Sequence, residues 1–568
     1  MNLQISPRTS RPPRTSRPPR ASRPARTALI GLVAGALALT ACGGGGGSAD
    51  EPAAFTKGRT DTPAAKGDLD SYTWYGDYRA PYSLDPILNA DYPEQTVLPN
   101  ICESLLRVRS DYALEPGLAT AWKQPDPQTL TFTVREGVKF TDGTPMTVDD
   151  VVFSLRRNMD PAAVSSYSSL YANVASITAG TGTSARSVTI TFKKPDAVFV
   201  NVLATLGGSV LSKAHAVSQG AKLGTPAGGV LCTGPYRVTS FDGTNDLAME
   251  RNDHYWDAKA VRSKKVTFVF PAGAKALSNA IAGKSVDGGF NIPSQLVPTL
   301  GKASGGKLWT GAEGSSPQNL DLIVSDLKGG PLADARLRQA LSAAIDREGI
   351  ARSIFSGAAD PLYAVAGPGT WGYARGQYQK AYDDLTVKKD PARGKELVAE
   401  AGATGRKVKL AYPTGIDLYS SVATTLQQAG KAIGLDLEIV GLPLAQYGEM
   451  FIDPAARKPY DAFLTMNYIQ VMEPAFLYGF IATPDGPQNY GGYDDPTVTE
   501  KIRTAFGTTD DEARAGLLIE AQKQLAKDLP WIPIVAPRAT VYLSDKVAGV
   551  PLTFAYMGRP WAASVGSP

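Results

Sequence analysis

The sequence predicts an α/β protein built from more than one lobe, on three observations. Its 568 residues exceed the roughly 100 to 200 that a single hydrophobic core usually organises. Residues 391–440 alternate between helical and strand-like patterns, which is the signature of layered α/β packing. No repeat of roughly 20 to 50 residues is present, which disfavours a solenoid or a propeller. Hydrophobic residues make up 43% and charged residues 20% of the chain, the balance of an ordinary globular protein.

The N-terminus is organised differently from the rest. Arg8, Arg11, Arg14, Arg17, Arg20, Arg23 and Arg26 recur among Pro and Ser with no acid before Asp50, and an apolar run over 28–39 follows at once. A basic region ahead of an apolar stretch too short to span a bilayer comfortably reads as a secretory signal over residues 1–41. A solvated polyproline-like arm and a nucleic-acid-binding arm are the competing readings of the arginines. The signal closes on Leu39-Thr40-Ala41-Cys42, which resembles a bacterial lipobox, with small residues before a cysteine that receives lipid. Gly43 to Gly47, Ser48 and a Pro/Ala/Thr-rich stretch follow. Residues 42–69 are therefore expected to form a flexible tether, with a mean reach of about 30 Å.

Processing changes the charge. The chain carries 58 basic and 54 acidic residues, and with the seven arginines of the leader removed 51 basic residues face 54 acidic ones. A slightly acidic mature chain sets up no long-range field for nucleic acid, which is excluded as a partner on that ground.

Within the body of the chain, residues 129–134 (TLTFTV) alternate as a half-buried strand does, and 188–192 repeat the pattern before Lys193-Lys194-Pro195. Residues 332–355 have helical spacing, with Leu337, Ala340, Leu341, Ala344 and Ile345 on one face and Asp334 placed to suit the helix dipole. A helix is expected over 391–401, closed by Gly402, and another over 420–433, with strands at 410–412 and 435–440.

Residues that could carry catalysis are sparse. His215 and His254 are the only two histidines, and neither accompanies a Gly-x-Ser-x-Gly elbow. Gly283-Lys284-Ser285 ends like a phosphate-binding loop, but Ser278 stands where the earlier glycine belongs. The acidic pairs Asp149-Asp150, Asp383-Asp384 and Asp494-Asp495 read as turn and helix caps rather than glycosidase carboxylates. No paired Cys or His spacing suggests a metal. With Cys42 assigned to lipid, Cys102 and Cys232 are either two buried thiols or a disulfide favoured by an oxidising compartment.

A series of motifs then narrows the reading. It begins with Leu84-Asp85-Pro86, Glu103-Ser104-Leu105, Glu115-Pro116-Gly117-Leu118-Ala119 and Trp122, and continues through Arg135-Glu136-Gly137-Val138-Lys139-Phe140-Thr141-Asp142-Gly143-Thr144-Pro145 to Asp149-Asp150-Val151. Thr233-Gly234-Pro235-Tyr236, Arg251-Asn252-Asp253, Tyr255-Trp256, Arg336-Leu337-Arg338-Gln339-Ala340-Leu341 and Ile345-Asp346-Arg347 follow. In this order over roughly 70–545, the series resembles the family 5 extracellular solute-binding proteins, the dipeptide, oligopeptide and nickel-binding group of ABC importers. Thr141 stands where that family usually has His. Physically the motifs are framing: Gly143 supplies a positive φ, Asp142 bonds its own turn and Thr147 caps a helix. Arg338, Asp346 and Arg347 are expected to form surface ion pairs worth about 0.3 to 0.5 kcal/mol each.

The resemblance implies a two-lobed periplasmic-binding-protein-like fold of type II, with two crossing strands and a subdomain inserted in the first lobe at about 87–205. The first lobe would span 70–318, the second 319–527, and residues 528–568 would return to the first. With the lipobox and the sparse catalytic residues, it points to an extracytoplasmic, lipid-anchored substrate-binding subunit, expected to be a monomer without enzymatic activity, cofactor or metal. Such a subunit closes on a small solute and docks on permease and ATPase partners. A non-transport surface receptor and a surface hydrolase are the alternatives.

Peptide-binding relatives carry Trp-x-x-Asp shortly before an acidic-Pro pair, the Asp holding the ligand ammonium. Aligned on Glu473-Pro474, this chain has Asn467 and Gln470 in those places. An ammonium facing a neutral amide is an uncompensated buried charge costing about 3 to 5 kcal/mol, so a neutral or differently charged solute is expected. Asn467, Tyr468, Gln470, Tyr490, Tyr167 and Trp371 are the candidate ligand contacts, suited to stacking and hydrogen bonding with a polyhydroxylated or amide-rich molecule. Each of these types also serves core packing, and Glu473 is a further candidate for the missing charge.

Overall fold

A computed structural model describes residues 59–88 and 90–568. The leader, Cys42 and most of the expected tether lie outside the described residues. The folded chain begins earlier than residue 70. Asp61 bridges Pro551, Gly67 bridges Ser567 and the Thr62 amide donates to the Val550 carbonyl. Low apolar content suggested a tether here, but the C-terminal segment comes back to supply these backbone partners.

Two sheets divide the structure. A seven-stranded mixed sheet runs in the spatial order Gly306–Thr310, Thr540–Ser544, Gly288–Phe290, Leu69–Tyr75, Ser263–Val269, Asp246–Arg251 and Tyr236–Phe241. A six-stranded sheet runs Ala359–Pro361, Trp531–Pro537, Asn319–Val324, Ala462–Asn467, Lys407–Pro413 and Asp436–Leu442. The chain passes from the first sheet to the second between Thr310 and Asn319 and returns between Pro537 and Thr540. These are the two crossings of a two-lobed binding-protein fold. The return falls later than the expected residue 528, because Trp531–Pro537 still pairs with Asn319–Val324.

Inserted in chain order between Leu69–Tyr75 and Tyr236–Phe241 of the first sheet, Ala119–Asp126, Thr129–Val134, Ser187–Phe192 and Val174–Ala179 form a separate antiparallel sheet. Thr129–Val134 buries every second side chain, as its alternation requires. Cys102 and Cys232, on either side of this insertion, are joined by a disulfide with 4.9 Å between their Cα atoms.

Local chemistry explains most element boundaries. Thr147 accepts from the Asp150 amide while the Asp150 carboxylate accepts from the Thr147 amide, a reciprocal cap on Val148–Arg156. Asp142 accepts from the Thr144 amide at 2.9 Å, and Gly143 takes a φ of 87°. The helix expected over 332–355 is in fact two, Ala335–Ala344 and Arg347–Ser353. Ile345 is extended and Asp346 caps the second helix through the Gly349 amide, so a continuous apolar face hid the break.

The expected surface ion pairs also differ. Arg338 and Arg347 are buried and donate to carbonyls, Arg338 to Leu332, Ala333 and Asp528, Arg347 to Ser342, Leu362 and Pro533. They satisfy acceptors that element ends leave open. Asp346 pairs with Lys389 at 3.0 Å.

Candidate functional site

The strand Asn319–Val324 carries the sequence NLDLIV and is buried at every position. Leu320, Leu322 and Val324 face the helical core of the second lobe. The alternate residues face the other way. Across the antiparallel pairing with Ala462–Asn467, Asn319 lies opposite Asn467, Asp321 opposite Thr465 and Ile323 opposite Phe463, and such partners share a face of the sheet.

Over that face lies a cavity of about 350 Å³, lined by Thr465, Met466, Asn467, Tyr468 and Gln470, by Gln488, Tyr490, Phe451 and Trp531, and by Ala90. Ala90 comes from the first lobe, so the cavity lies between the lobes. The Tyr468 hydroxyl donates to the Ala90 carbonyl at 2.6 Å and the Gln470 amide donates to it at 3.0 Å. The Tyr92 and Tyr468 rings pack with centroids 4.6 Å apart, and Gln318, at the end of the first crossing, donates to the Tyr92 hydroxyl at 2.7 Å. On the opposite wall Tyr490 stacks on Trp531, with Arg457 4.9 Å above the Tyr490 ring. A smaller cavity of about 130 Å³ adjoins it, bounded by Met466, Gln318, Asn291, Pro537 and Thr540.

The polar lining is conspicuously incomplete. Asn467 Nδ2, Gln470 Oε1 and Gln488 Oε1 have no hydrogen-bond partner among the described residues, and in the neighbouring strand, outside the lining itself, neither do Asn319 Oδ1 and both carboxyl oxygens of Asp321. A buried polar atom without a partner costs about 1 to 3 kcal/mol. Three of these atoms, on Asn467, Gln470 and Gln488, belong to residues that line the one cavity.

Four of the six candidate contacts, Asn467, Tyr468, Gln470 and Tyr490, thus line one cavity. Tyr167 is buried beside it, its hydroxyl accepting from Gln95 at 2.9 Å and bonded to Gln470. Burial raises that hydroxyl's pKa. A Cβ on Gly207 would stand 2.9 Å from the Tyr167 ring, so glycine there lets the ring pack flat. Trp371 does not line the cavity. Its Nε1 donates to the Ala366 carbonyl and its ring stacks on Tyr378, because the helix Arg375–Asp383 brings Tyr378 and Tyr382 over it.

Glu473 is likewise turned away, capping Pro474–Ala482 and contacting Arg514 at 3.2 Å and the Tyr373 hydroxyl at 2.8 Å. Its charge is already answered. His215 lies against the Gly228 carbonyl and His254 against Gly143, and neither lines the cavity. Among the described residues, no group of three His, Cys, Asp or Glu could hold a metal.

Sequence reading missed Asp321, Thr465 and Gln488. The one available signal was an acid inside the otherwise apolar run 320–324.

Residues 113–489 match the model of the bacterial extracellular solute-binding proteins, family 5 Middle. The chain belongs to this family. Among curated relatives, the oligopeptide-binding protein OppA of Bacillus subtilis is 25% identical over 538 residues, 90% of this chain and 94% of its own. The periplasmic murein peptide-binding protein MppA of Escherichia coli is 26% identical over 474 residues, 80% of this chain and 85% of its own. Among solved structures, the Helicobacter pylori binding protein DppA in complex with the peptide STSA superposes with a TM-score of 0.72. It is 21% identical and covers 88% of this chain and 98% of its own. Like its relatives, the protein is a two-lobed solute-binding protein of the extracytoplasmic class, and the relatives are binding components rather than enzymes. No helix among the described residues is long and apolar enough to cross a membrane.

Proposed function

We propose that this protein captures a small polar solute between its lobes and delivers it to the membrane permease of an ABC importer, held at the membrane by lipid on Cys42. The observation that carries this reading is the interlobe cavity, whose second-lobe wall presents unpartnered amides and whose other side is the Ala90 carbonyl. A solute that satisfies the amides while resting on the Tyr468 and Tyr490 rings touches both lobes. Closure and binding are then linked, because the solute makes its full contacts only in the closed form.

The solute is not a peptide gripped by its amino terminus at residue 470. Gln470 supplies a neutral amide there, already donating to Ala90, and Asn467 replaces the aromatic partner. An amide-rich or polyhydroxylated molecule fits the lining. The protein is read as a monomer, and residues 1–41 as its leader.

Mass spectrometry of the small molecules that copurify with the protein tests the capture reading; a preparation that neither carries nor binds any solute overturns it. Replacing Cys42 by Ser tests the anchor. Release of the mature chain from the membrane fraction is expected, and continued retention with unprocessed mass overturns the lipid assignment.

A further inference from the structure

The buried acid on the face under the cavity has no role in the fold that its surroundings reveal. Asp321 is fully buried, and neither carboxyl oxygen has a partner among the described residues. Its cross-strand neighbours are Thr465 on one side and Pro533 on the other. Thr465 lines the 350 Å³ cavity, and Pro533 borders a small apolar pocket with Tyr363, Tyr478 and Trp531. One turn of the pleat nearer the first lobe, Asn319 and Asn467 face each other on the same side of the sheet, each with an unpartnered atom. An acid is thus set beneath a polar cavity, with only small or apolar neighbours beside it across the sheet.

An ionised carboxylate without a partner is far too costly to keep in an apolar interior. Burial accordingly pushes the Asp321 carboxyl well above its ordinary range, with no opposing charge or hydrogen bond. Purely structural service would place a leucine or a valine here, as in the rest of the strand. Elsewhere the fold answers its buried acids: Glu473 has Arg514, Glu103 has Arg107 and Trp256, and Asp85 has Arg157. Asp321 stands apart in having no such partner.

We propose that Asp321 is the charge-reading contact of this cavity, and that the captured solute carries an alkylammonium or guanidinium group that reaches its carboxylate past Thr465. This rests on the capture reading and narrows it. The cation is recognised from the strand Asn319–Val324, not from residue 470, where this chain has an amide. Such a group would complete the acid with charge-assisted hydrogen bonds, while Asn467 and Gln488 bond the neutral parts of the molecule. Selectivity follows from the same cost. A neutral isostere leaves the acid unanswered, and a site with an unsatisfied buried polar group rejects the analogue that lacks its partner.

Calorimetry on the mature full-length protein, stripped of solute by unfolding and refolding, tests this with pairs matched in size and differing by one positive charge. The pairs are N-acetyl-Ala-Arg-Ala against N-acetyl-Ala-citrulline-Ala and N-acetyl-Ala-Lys-Ala against N-acetyl-Ala-norleucine-Ala, with agmatine as a non-peptide cation. At least one cationic probe is expected to bind tenfold or more tightly than its neutral counterpart, agmatine being compared with 1-pentanol. In the Asp321→Asn variant the preference should fall below twofold. The variant should melt no lower than the parent, since no bond of the acid is lost. Equal affinities within every pair, or a preference that persists in Asp321→Asn, overturn the inference. So does a copurifying solute with no basic nitrogen, which leaves the capture reading standing. Absence of any solute and any probe binding overturns both.

Discussion

The Tyr468 hydroxyl donates to the Ala90 carbonyl at 2.6 Å and so joins segments 378 residues apart in the chain, one from each lobe. The same carbonyl accepts from Gln470. Replacing Tyr468 by Phe removes one closing bond without orphaning the acceptor, so the loss should stay near the usual 0.5 to 1.5 kcal/mol of a hydrogen bond. Solute dissociation is expected to quicken roughly two- to tenfold, measured by stopped-flow fluorescence. An unchanged rate would mean that closure does not depend on this contact.

The disulfide between Cys102 and Cys232 encloses the whole inserted four-stranded sheet, with a sequence separation of 130. In the chain-entropy account a loop of this size is worth up to about 5 kcal/mol. Replacing both cysteines by Ser should lower stability by about 2 to 5 kcal/mol in denaturant titrations. Intact-mass analysis after alkylation under denaturing, non-reducing conditions should find neither thiol modified; two alkylated thiols would show that no bridge forms.

Glu473 and Arg514 form a buried pair, with Tyr373 donating to the acid and lying under the guanidinium, 4.0 Å from ring centroid to guanidinium carbon. Replacing Glu473 by Ala leaves a buried cation with only the half-exposed Asp511 beside it. A stability loss of about 3 kcal/mol is expected, the low end for breaking a buried pair. Solute affinity should hardly change. A large loss of affinity with intact stability would instead make Glu473 a ligand group.

Asp77 is buried near the smaller cavity, accepting from Asn291 Nδ2 at 3.2 Å and from the Tyr78 amide at 2.9 Å, with Arg79 and Asp91 close by. Burial is the main reason its carboxyl is pushed up to about 6. The folded protein therefore holds this proton more tightly than the unfolded chain, where an aspartate titrates near 3.9. The contribution is complete only below about pH 3.9 and is lost as pH rises through about 6, on the order of 2 kcal/mol. Melting curves from pH 4 to 7 should show the parent losing stability relative to Asp77→Asn over that window. Parallel curves would place the proton elsewhere.

Much of the local structure was legible because it depends on neighbours in sequence. The alternation of TLTFTV, the Thr147 cap and the Asp142-Gly143 turn each need only a few adjacent residues, and each takes the expected form. The break at Ile345 was hidden because apolar periodicity continues across it. Asn467 and Gln470, standing where the family has Trp and Asp, fall on a strand end and loop that line the interlobe cavity, since that motif is a local marker for a wall of the cleft.

By itself the sequence determined the family, the two-lobed class and four residues of the cavity wall, all carried by short patterns. Tertiary structure decided which aromatic lines the cavity and which packs into the core. Tyr490 lines the cavity and Trp371 is packed beneath Tyr378, although both offer a large ring with a polar edge. It also decided the meaning of Asp321, an acid whose neighbours Thr465 and Pro533 arrive from distant strands. The free energy of a buried charge is set by whatever stands within a few ångströms of it. For this strand, long-range sheet pairing fixes those neighbours, and no sequence window contains them.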